Sequence, residues 1–309
     1  MNPTEKTGLN LIIQQHRIRS IVRVIKLKEA TSQFLDATLS RKEFETLAGI
    51  VFQYTGITMD ERKMPLVGGR LSRRLRILQL RSYSEYIDYL VGDESGEERE
   101  IFIDLITTHV THFFREPEHF VYLGRYIAES KKRPLKIWSA AVSTGEEAYS
   151  IALVLQDRLG DSSDLWQILG TDISNESVGR AQTALYPITG ADQIPSYYRN
   201  RYLLKGKDSM EGYFTFTKNI RSGVKLDTLN LMDFTRLPGG FLPDVVFLRN
   251  VMIYFGQQEK EKVLRSVASV MPIGGILMIG HSESLNGLKA PFRLVQTAVY
   301  ERISDHHDR

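Results

Sequence analysis

The sequence predicts a doubly wound α/β domain with a small antiparallel β insertion, preceded by an all-α unit. Three observations predict it. Apolar runs at Lys136-Ile137-Trp138, Trp166–Gly170, Pro243–Leu248 and Ile276–Gly280 alternate with helical patterns, as in a buried parallel sheet wound by helices. The first three runs end on small or polar residues, where open α/β sheets bind ligands. Upstream, the stretch beginning at Ser40 shows helical spacing of apolar residues with capping signals.

The composition sets bounds. The 309 residues are 42% hydrophobic and 25% charged, ordinary for a globular protein and enough for roughly two domains. No apolar run approaches the ~20 residues of a membrane span, and a signal peptide's continuous apolar core is missing from the N-terminus. A bacterial-type cytoplasmic protein is expected. There is no cysteine, which excludes disulfides, thiolate catalysis and Cys-ligated zinc. A net charge of +3 names no partner.

Residues 1–36 form a basic extension. From Lys6 to Lys28 it carries Arg17, Arg19, Arg23 and Lys26 without an acid, interleaved with apolar residues. An additional helix is preferred there over a membrane-surface segment. Residues 37–106 form a helical, substrate-recognition domain. Ser40 and Glu43 make a capping box ahead of Phe44, Leu47, Val51 and Phe52, and Gly56 stops that helix. The stretch Arg62–Arg81 contains Lys63, Arg70, Arg73, Arg74 and Arg76 and no acid. Leu71, Leu75 and Leu78 put it on a helix, with the arginines expected on its solvent side. Such a face suits an acidic partner; nucleic acid is not expected, because no aromatics for base stacking are interleaved. Residues 92–98 punctuate the chain, and a last helix carries Ile101, Phe102, Leu105 and Ile106.

Residues 107–309 form the α/β domain, with the β insertion at about 190–226. After Trp138 come Ala140, Ala141, Ser143, Thr144 and Gly145, then a helix opening on Glu146-Glu147. A helix N-terminus attracts anions, but two carboxylates there repel a pyrophosphate. The loop suits a ligand with hydroxyls and a positive charge, which describes S-adenosylmethionine and not a dinucleotide. Asp172, ending the second strand, can accept from ribose hydroxyls or cap the helix that follows.

The segments THVTHFFRE, IWSAAVSTGEEAYSIA, TDIS, FLRNVMIYF and GHSESL, in this order, resemble the CheR family of chemotaxis receptor methyltransferases over roughly residues 38–302. The resemblance implies a class I methyltransferase domain and methyl transfer from S-adenosylmethionine to glutamate side chains of chemoreceptors, leaving S-adenosylhomocysteine. It implies acidic methylation helices of transmembrane receptors as partners, and a receptor tail peptide as a candidate occupant of the β insertion. It assigns Thr111 and Arg115 to the cofactor and reaction center, Glu147 to the methionyl end, Asp172 to the ribose, and Asn230-Leu231 to the adenine. Arg249-Asn250 and Tyr254 match an element beside the methyl group. Arg115 and Tyr254 are thus the expected catalytic pair. His109 stands where the family has Asn ahead of Val110-Thr111, a departure at a cofactor-binding position.

Two rival functions are methyl transfer to another acidic substrate and a non-catalytic cofactor-binding docking module. No metal is expected: His109, His112 and Glu116 are close in sequence, but HExxH spacing is absent and no further ligand is fixed. His281 is read as ordering a strand-end loop, and Asp305–Asp308 as a mobile tail.

Overall fold

The first helix begins as its capping box dictates. Ser40 Oγ accepts from the Glu43 N–H at 3.3 Å, and the Ser40 N–H donates to Glu43 Oε2 at 2.8 Å. The helix, α1 (Arg41–Thr55), ends at Gly56, whose φ of +70° closes the last turn with an N–H bond to the Phe52 carbonyl. The computed structural model describes residues 38–304; the basic extension and the Asp305–Asp308 tail lie outside them. Two units are resolved. Among the described residues, one holds residues 38–50 and 59–106, the other residues 51–58 and 107–304.

In the first unit, α2 (Met64–Leu78), α3 (Tyr83–Val91) and α4 (Glu97–Ile106) follow. Phe44, Leu47, Val67, Leu71, Tyr86 and Phe102 are all buried, each such burial contributing about 1.5–3 kcal/mol. The arginines of α2 are divided. Arg73 and Arg76 are exposed, as the sequence reading expects. Arg70 instead donates to the carbonyls of Leu105 and Ile106, at 3.0 and 2.9 Å, at the C-terminus of α4. Arg74 pairs with the buried Glu98 through Nε at 3.0 Å and through its second nitrogen, and Tyr86 donates to the same carboxylate at 2.9 Å. The expectation that all these arginines face solvent is corrected. Arg70 and Arg74 lie one residue before Leu71 and Leu75, on the border of the apolar stripe.

The second unit begins with α5 (Pro117–Glu129), β1 (Leu135–Ala140), α6 (Glu146–Leu159), α7 (Ser162–Leu165), β2 (Trp166–Asp172) and α8 (Asn175–Thr183). Then come β3 (Tyr186–Pro187), α9 (Ser196–Tyr202), β4 (Leu203–Lys205), β5 (Tyr213–Phe216), α10 (Lys218–Ser222) and β6 (Val224–Thr228). β7 (Val245–Leu248), α11 (Gln257–Ser269), β8 (Ile276–Ile279), β9 (Phe292–Gln296) and β10 (Val299–Arg302) complete it. Among the described residues the strands make a seven-stranded sheet in the order β6-β2-β1-β7-β8-β10-β9 and a three-stranded one in the order β3-β5-β4. β6 through β8 run parallel; β10 is antiparallel to both its neighbors. Register follows the apolar pattern, with Ile137 beside Ile168 and Val245 and with Val246 beside Leu277.

Alternate residues therefore fill two cores. Ile137, Val245, Phe247 and Met278 belong to one, with residues of α5, α6 and the insertion. Trp138, Val246, Leu248 and Leu277 belong to the other, with residues of α11. The order of strands reverses at β1, so the crevice beyond β1 and its neighbors is the expected ligand position. The insertion's sheet differs from the sequence reading in extent: β3 lies before residue 190, and Val224–Thr228 pairs with β2 in the main sheet. Among the described residues, no helix is long and apolar enough to cross a membrane.

Candidate active site

The loop after β1 is built from an unusual backbone. Ala141, Ser143 and Gly145 have φ of 76°, 52° and 99°, a left-handed conformation that costs a non-glycine residue of order 1 kcal/mol. Hydrogen bonds hold it there. The N–H groups of Ala141 and Val142 both reach the Thr171 carbonyl at 2.8 Å, and that of Ser143 reaches Asp172 Oδ2 at 2.8 Å. Asp172 Oδ1 accepts from the Ser174 N–H at 3.0 Å. The buried Asp172 thus clamps the loops after β1 and β2 together. The N-cap of α8 is Ser174, whose hydroxyl accepts from the Ser177 N–H at 3.0 Å. Gly145 has a second constraint: a Cβ there would lie 2.7 Å from the Tyr186 hydroxyl, which itself donates to the Thr144 carbonyl at 2.8 Å.

Behind the loop sits a buried ionic cluster. The Arg249 side chain, 1% exposed, lies 2.9 Å from Glu147 Oε2 and 3.1 Å from Glu116 Oε2, and it also donates to the Arg115 carbonyl. Ser139 on β1 donates to the other Glu147 oxygen at 2.7 Å. Asn250, at φ 57°, donates from its side chain to Glu116 Oε1 at 3.2 Å, and its N–H donates to Glu283 at 2.9 Å. Glu283 also accepts the N–H groups of Gly280 and Ile253. Burial pushes the Glu147 and Glu283 carboxyls above their usual range. At Glu116 burial acts the same way, but Arg249 and Asn250 outweigh it and hold the carboxyl below its usual range. Burial, with Arg249 adding to it, pushes the His119 imidazole down to about 3.

The FFR segment is pinned on both sides of Arg115. The Phe113 N–H donates to Gln193 at 3.0 Å and the Phe114 N–H to Ser150 at 2.9 Å. The Phe113 ring packs against Tyr186, Phe214 and Phe216 of the insertion, with centroids 4.9–5.9 Å away. Phe114 and Glu116 both have positive φ, 53° and 56°. Arg115 donates to the Val110 carbonyl at 3.2 Å, while the adjacent Glu116 carboxylate is occupied by Arg249. Thr111 is half-buried beside them. His109 Nε2 lies 2.8 Å from the Thr107 hydroxyl, and its carbonyl accepts from Ser143 at 3.2 Å.

The remaining residues lie beyond β6 and β7. Asn230 uses both ends of its amide, donating to the Tyr54 carbonyl at 2.6 Å and accepting from the Met232 N–H at 2.9 Å. Leu231 is buried in the core. Asn230 also lines a cleft of about 690 Å³ with Thr228, Asp233, Phe234 and Arg236. Tyr254, half-buried, ends a 3₁₀ turn (Met252–Tyr254) set by Glu283. Sequence reasoning missed Glu116, Ser139 and Glu283 as parts of this network. All three carried a signal, lying inside THVTHFFRE, IWSAAVSTGEEAYSIA and GHSESL respectively.

Two family models match in sequence order: the all-alpha domain of CheR methyltransferases over residues 42–107 and their SAM binding domain over residues 109–301. The chain belongs to the CheR methyltransferase family. A chemotaxis protein methyltransferase of Salmonella typhimurium is 34% identical over 268 residues, 86% of this chain and 92% of that protein. Chemotaxis protein methyltransferase 2 of Pseudomonas aeruginosa is 35% identical over 84% of this chain and 93% of its own. A chemotaxis protein methyltransferase of Borreliella burgdorferi is 31% identical over 87% of this chain and 96% of its own.

This CheR methyltransferase uses S-adenosylmethionine, and the donor set around its crevice fits that group. Glu116, Glu146, Glu147 and Asp172 outnumber the buried Arg249, which favors a sulfonium and an ammonium over a phosphate. The tight loop of alternating positive φ lets its backbone approach a ligand closely.

Proposed function

We propose that this methyltransferase esterifies glutamate side chains on the acidic methylation helices of transmembrane chemoreceptors, acting in the cytoplasm in sensory adaptation. The single observation that carries the proposal is the match, along one chain, of both the helical and the cofactor-binding domain of the family. When bound, S-adenosylmethionine supplies an electrophilic methyl carbon. An ionized receptor carboxylate needs no general base at neutral pH, so the protein's contribution is placement. Arg115 orients the acceptor carboxylate, and Tyr254 walls the methyl group. Asp172 and the loop it clamps receive the ribose, and the Asn230-Leu231 segment with its cleft receives the adenine. His109 and Thr111 border the methionyl end. Glu147, Arg249 and Asn250 act as positioning residues: they fix the FFR turn and the start of α6 beneath the reacting groups. The exposed Arg73 and Arg76 attract acidic helices. The insertion, with the exposed Leu204 and Tyr213 on strands β4 and β5, docks a receptor tail peptide.

The test is transfer of a tritiated methyl group to receptor-containing membranes, followed by base treatment. A glutamate methyl ester releases volatile methanol in base. Label that stays bound after base would point to another acceptor chemistry, and calorimetric cofactor binding without any transfer would favor a docking module.

A further inference from the structure

A second group shares Glu116 with the Arg249 cluster and adds two histidines that the methyl-transfer reading does not use. Glu116, His119 and His281 each bring one metal-ligating atom, a carboxylate oxygen and two imidazole nitrogens, to within 4.8 Å of one another. Glu116 and His119 are three residues apart, at the N-cap and in the first turn of α5, so their side chains share a face. His281 follows β8 and is exposed, giving a route in from solvent. An independent observation points to a ligand. The His119 side chain is 1% exposed, and neither of its ring nitrogens has a hydrogen-bond partner; Nδ1 lies 3.5 Å from Glu116 Oε2. Native proteins seldom bury polar atoms unsatisfied, and an orphan calls for an ion, a water or a ligand. The two imidazoles meet edge to face, with centroids 4.9 Å apart.

We infer that Glu116, His119 and His281 form a binding site for a divalent transition-metal cation of the zinc class. Two imidazole nitrogens and one carboxylate oxygen suit zinc and its neighbors, whereas magnesium and calcium take oxygen ligands. Three protein ligands leave one position for water. The local charge permits a dication, because Glu116 and Glu147 face the single guanidinium of Arg249. Arg249 and the cation share Glu116, so each weakens the other's hold on it. The trio weighed from sequence, His109, His112 and Glu116, is a different one; His109 is turned to Thr107.

The test uses the full chain, stripped with chelator. It is titrated with Co²⁺ by visible absorption and with Zn²⁺ or Mg²⁺ by calorimetry. The expected result is one Co²⁺ per chain with the intense bands of a four- or five-coordinate ion, Zn²⁺ heat of the same stoichiometry, and no Mg²⁺ heat. His281→Ala, an exposed substitution whose folding a melting curve verifies, should weaken binding about tenfold or more, at least the loss typical of removing a mere outer-shell partner. Two results would overturn the site: undiminished binding in His281→Ala, or binding abolished by His306→Ala/His307→Ala with His281 intact.

Discussion

Each unit of this protein contains an arginine paired with acid and largely withdrawn from solvent, half-buried Arg74 with buried Glu98 in one and buried Arg249 with half-buried carboxylates in the other. The two arrangements differ in stoichiometry. In the helical unit Arg74 meets Glu98 alone, and Tyr86 completes the carboxylate's shell. Charge is balanced one to one, and the partners lie on neighboring helices. In the α/β unit Arg249 meets Glu116 and Glu147 together, while Asn250 and Ser139 hold their outer oxygens. There acid is in excess, the backbone at Glu116 and Asn250 is left-handed, and the partners come from elements separated by more than a hundred residues. A balanced pair can only hold helices together. An unbalanced one, kept under strain at strand carboxyl ends, has charge left over for something else.

Removing each arginine is the strongest way to break this comparison. Arg249→Leu and Arg74→Leu should each cost about 3–5 kcal/mol of stability, since each strands buried carboxylate without its counter-ion. Their turnovers should part: at saturating acceptor and below both melting transitions, Arg74→Leu transfers normally per folded molecule and Arg249→Leu does not. Equal transfer by the two proteins would erase the distinction drawn between them.

Next in size is Arg115, whose carbonyl accepts from the two acids' shared guanidinium. Arg115→Ala should reduce single-turnover transfer about 100-fold while cofactor binding and melting temperature hold, as expected for lost orientation. Arg115→Lys should recover little, because an ammonium lacks the planar fork. Normal transfer by the alanine variant would remove Arg115 from the reaction. Asp172→Ala should weaken S-adenosylmethionine binding by about 1–3 kcal/mol, read by calorimetry. Because Asp172 also clamps Ser143 and Ser174, melting temperature should fall with it; a loss of stability with unchanged affinity would make Asp172 a clamp alone.

The smallest effect concerns the exposed arginines of α2. Arg73→Glu/Arg76→Glu should slow methylation several-fold at low salt, and the gap to the wild type should narrow as salt screens the charge. Cofactor affinity should not change. A salt-independent defect would mean these two side chains act through structure, as Arg70 and Arg74 do.

The sheet's central strands were legible because β1, β2, β7 and β8 are almost wholly buried and read as short, mostly apolar runs. β6 was not. Its sequence Val224-Lys225-Leu226-Asp227-Thr228 sits at the sheet edge with alternate residues exposed, and nothing local separates such a strand from the end of a hairpin. The acidic loop, Asp172 and the FFR segment were found because residue types and order carry them. The ionic network was not, because Glu116, Glu147, Arg249 and Glu283 meet only through the sheet's topology. Helical spacing gave the right helix for Arg70 and Arg74 but the wrong surroundings. A long arginine at the edge of an apolar stripe can turn to a carbonyl or a carboxylate from a neighboring helix, and the period alone does not say which.

The contact between the Tyr186 hydroxyl and the Thr144 carbonyl, with Phe113 wedged among Tyr186, Phe214 and Phe216, bears on whether the insertion can be treated as a module. It is wired by one hydrogen bond to the loop after β1, and by aromatic packing and the Phe113–Gln193 hydrogen bond to the segment bearing Arg115. Excising it to make a minimal enzyme would unroof both. An acceptor that never touches the insertion would still depend on it, and lineages could vary its outer edge far more freely than its inner face.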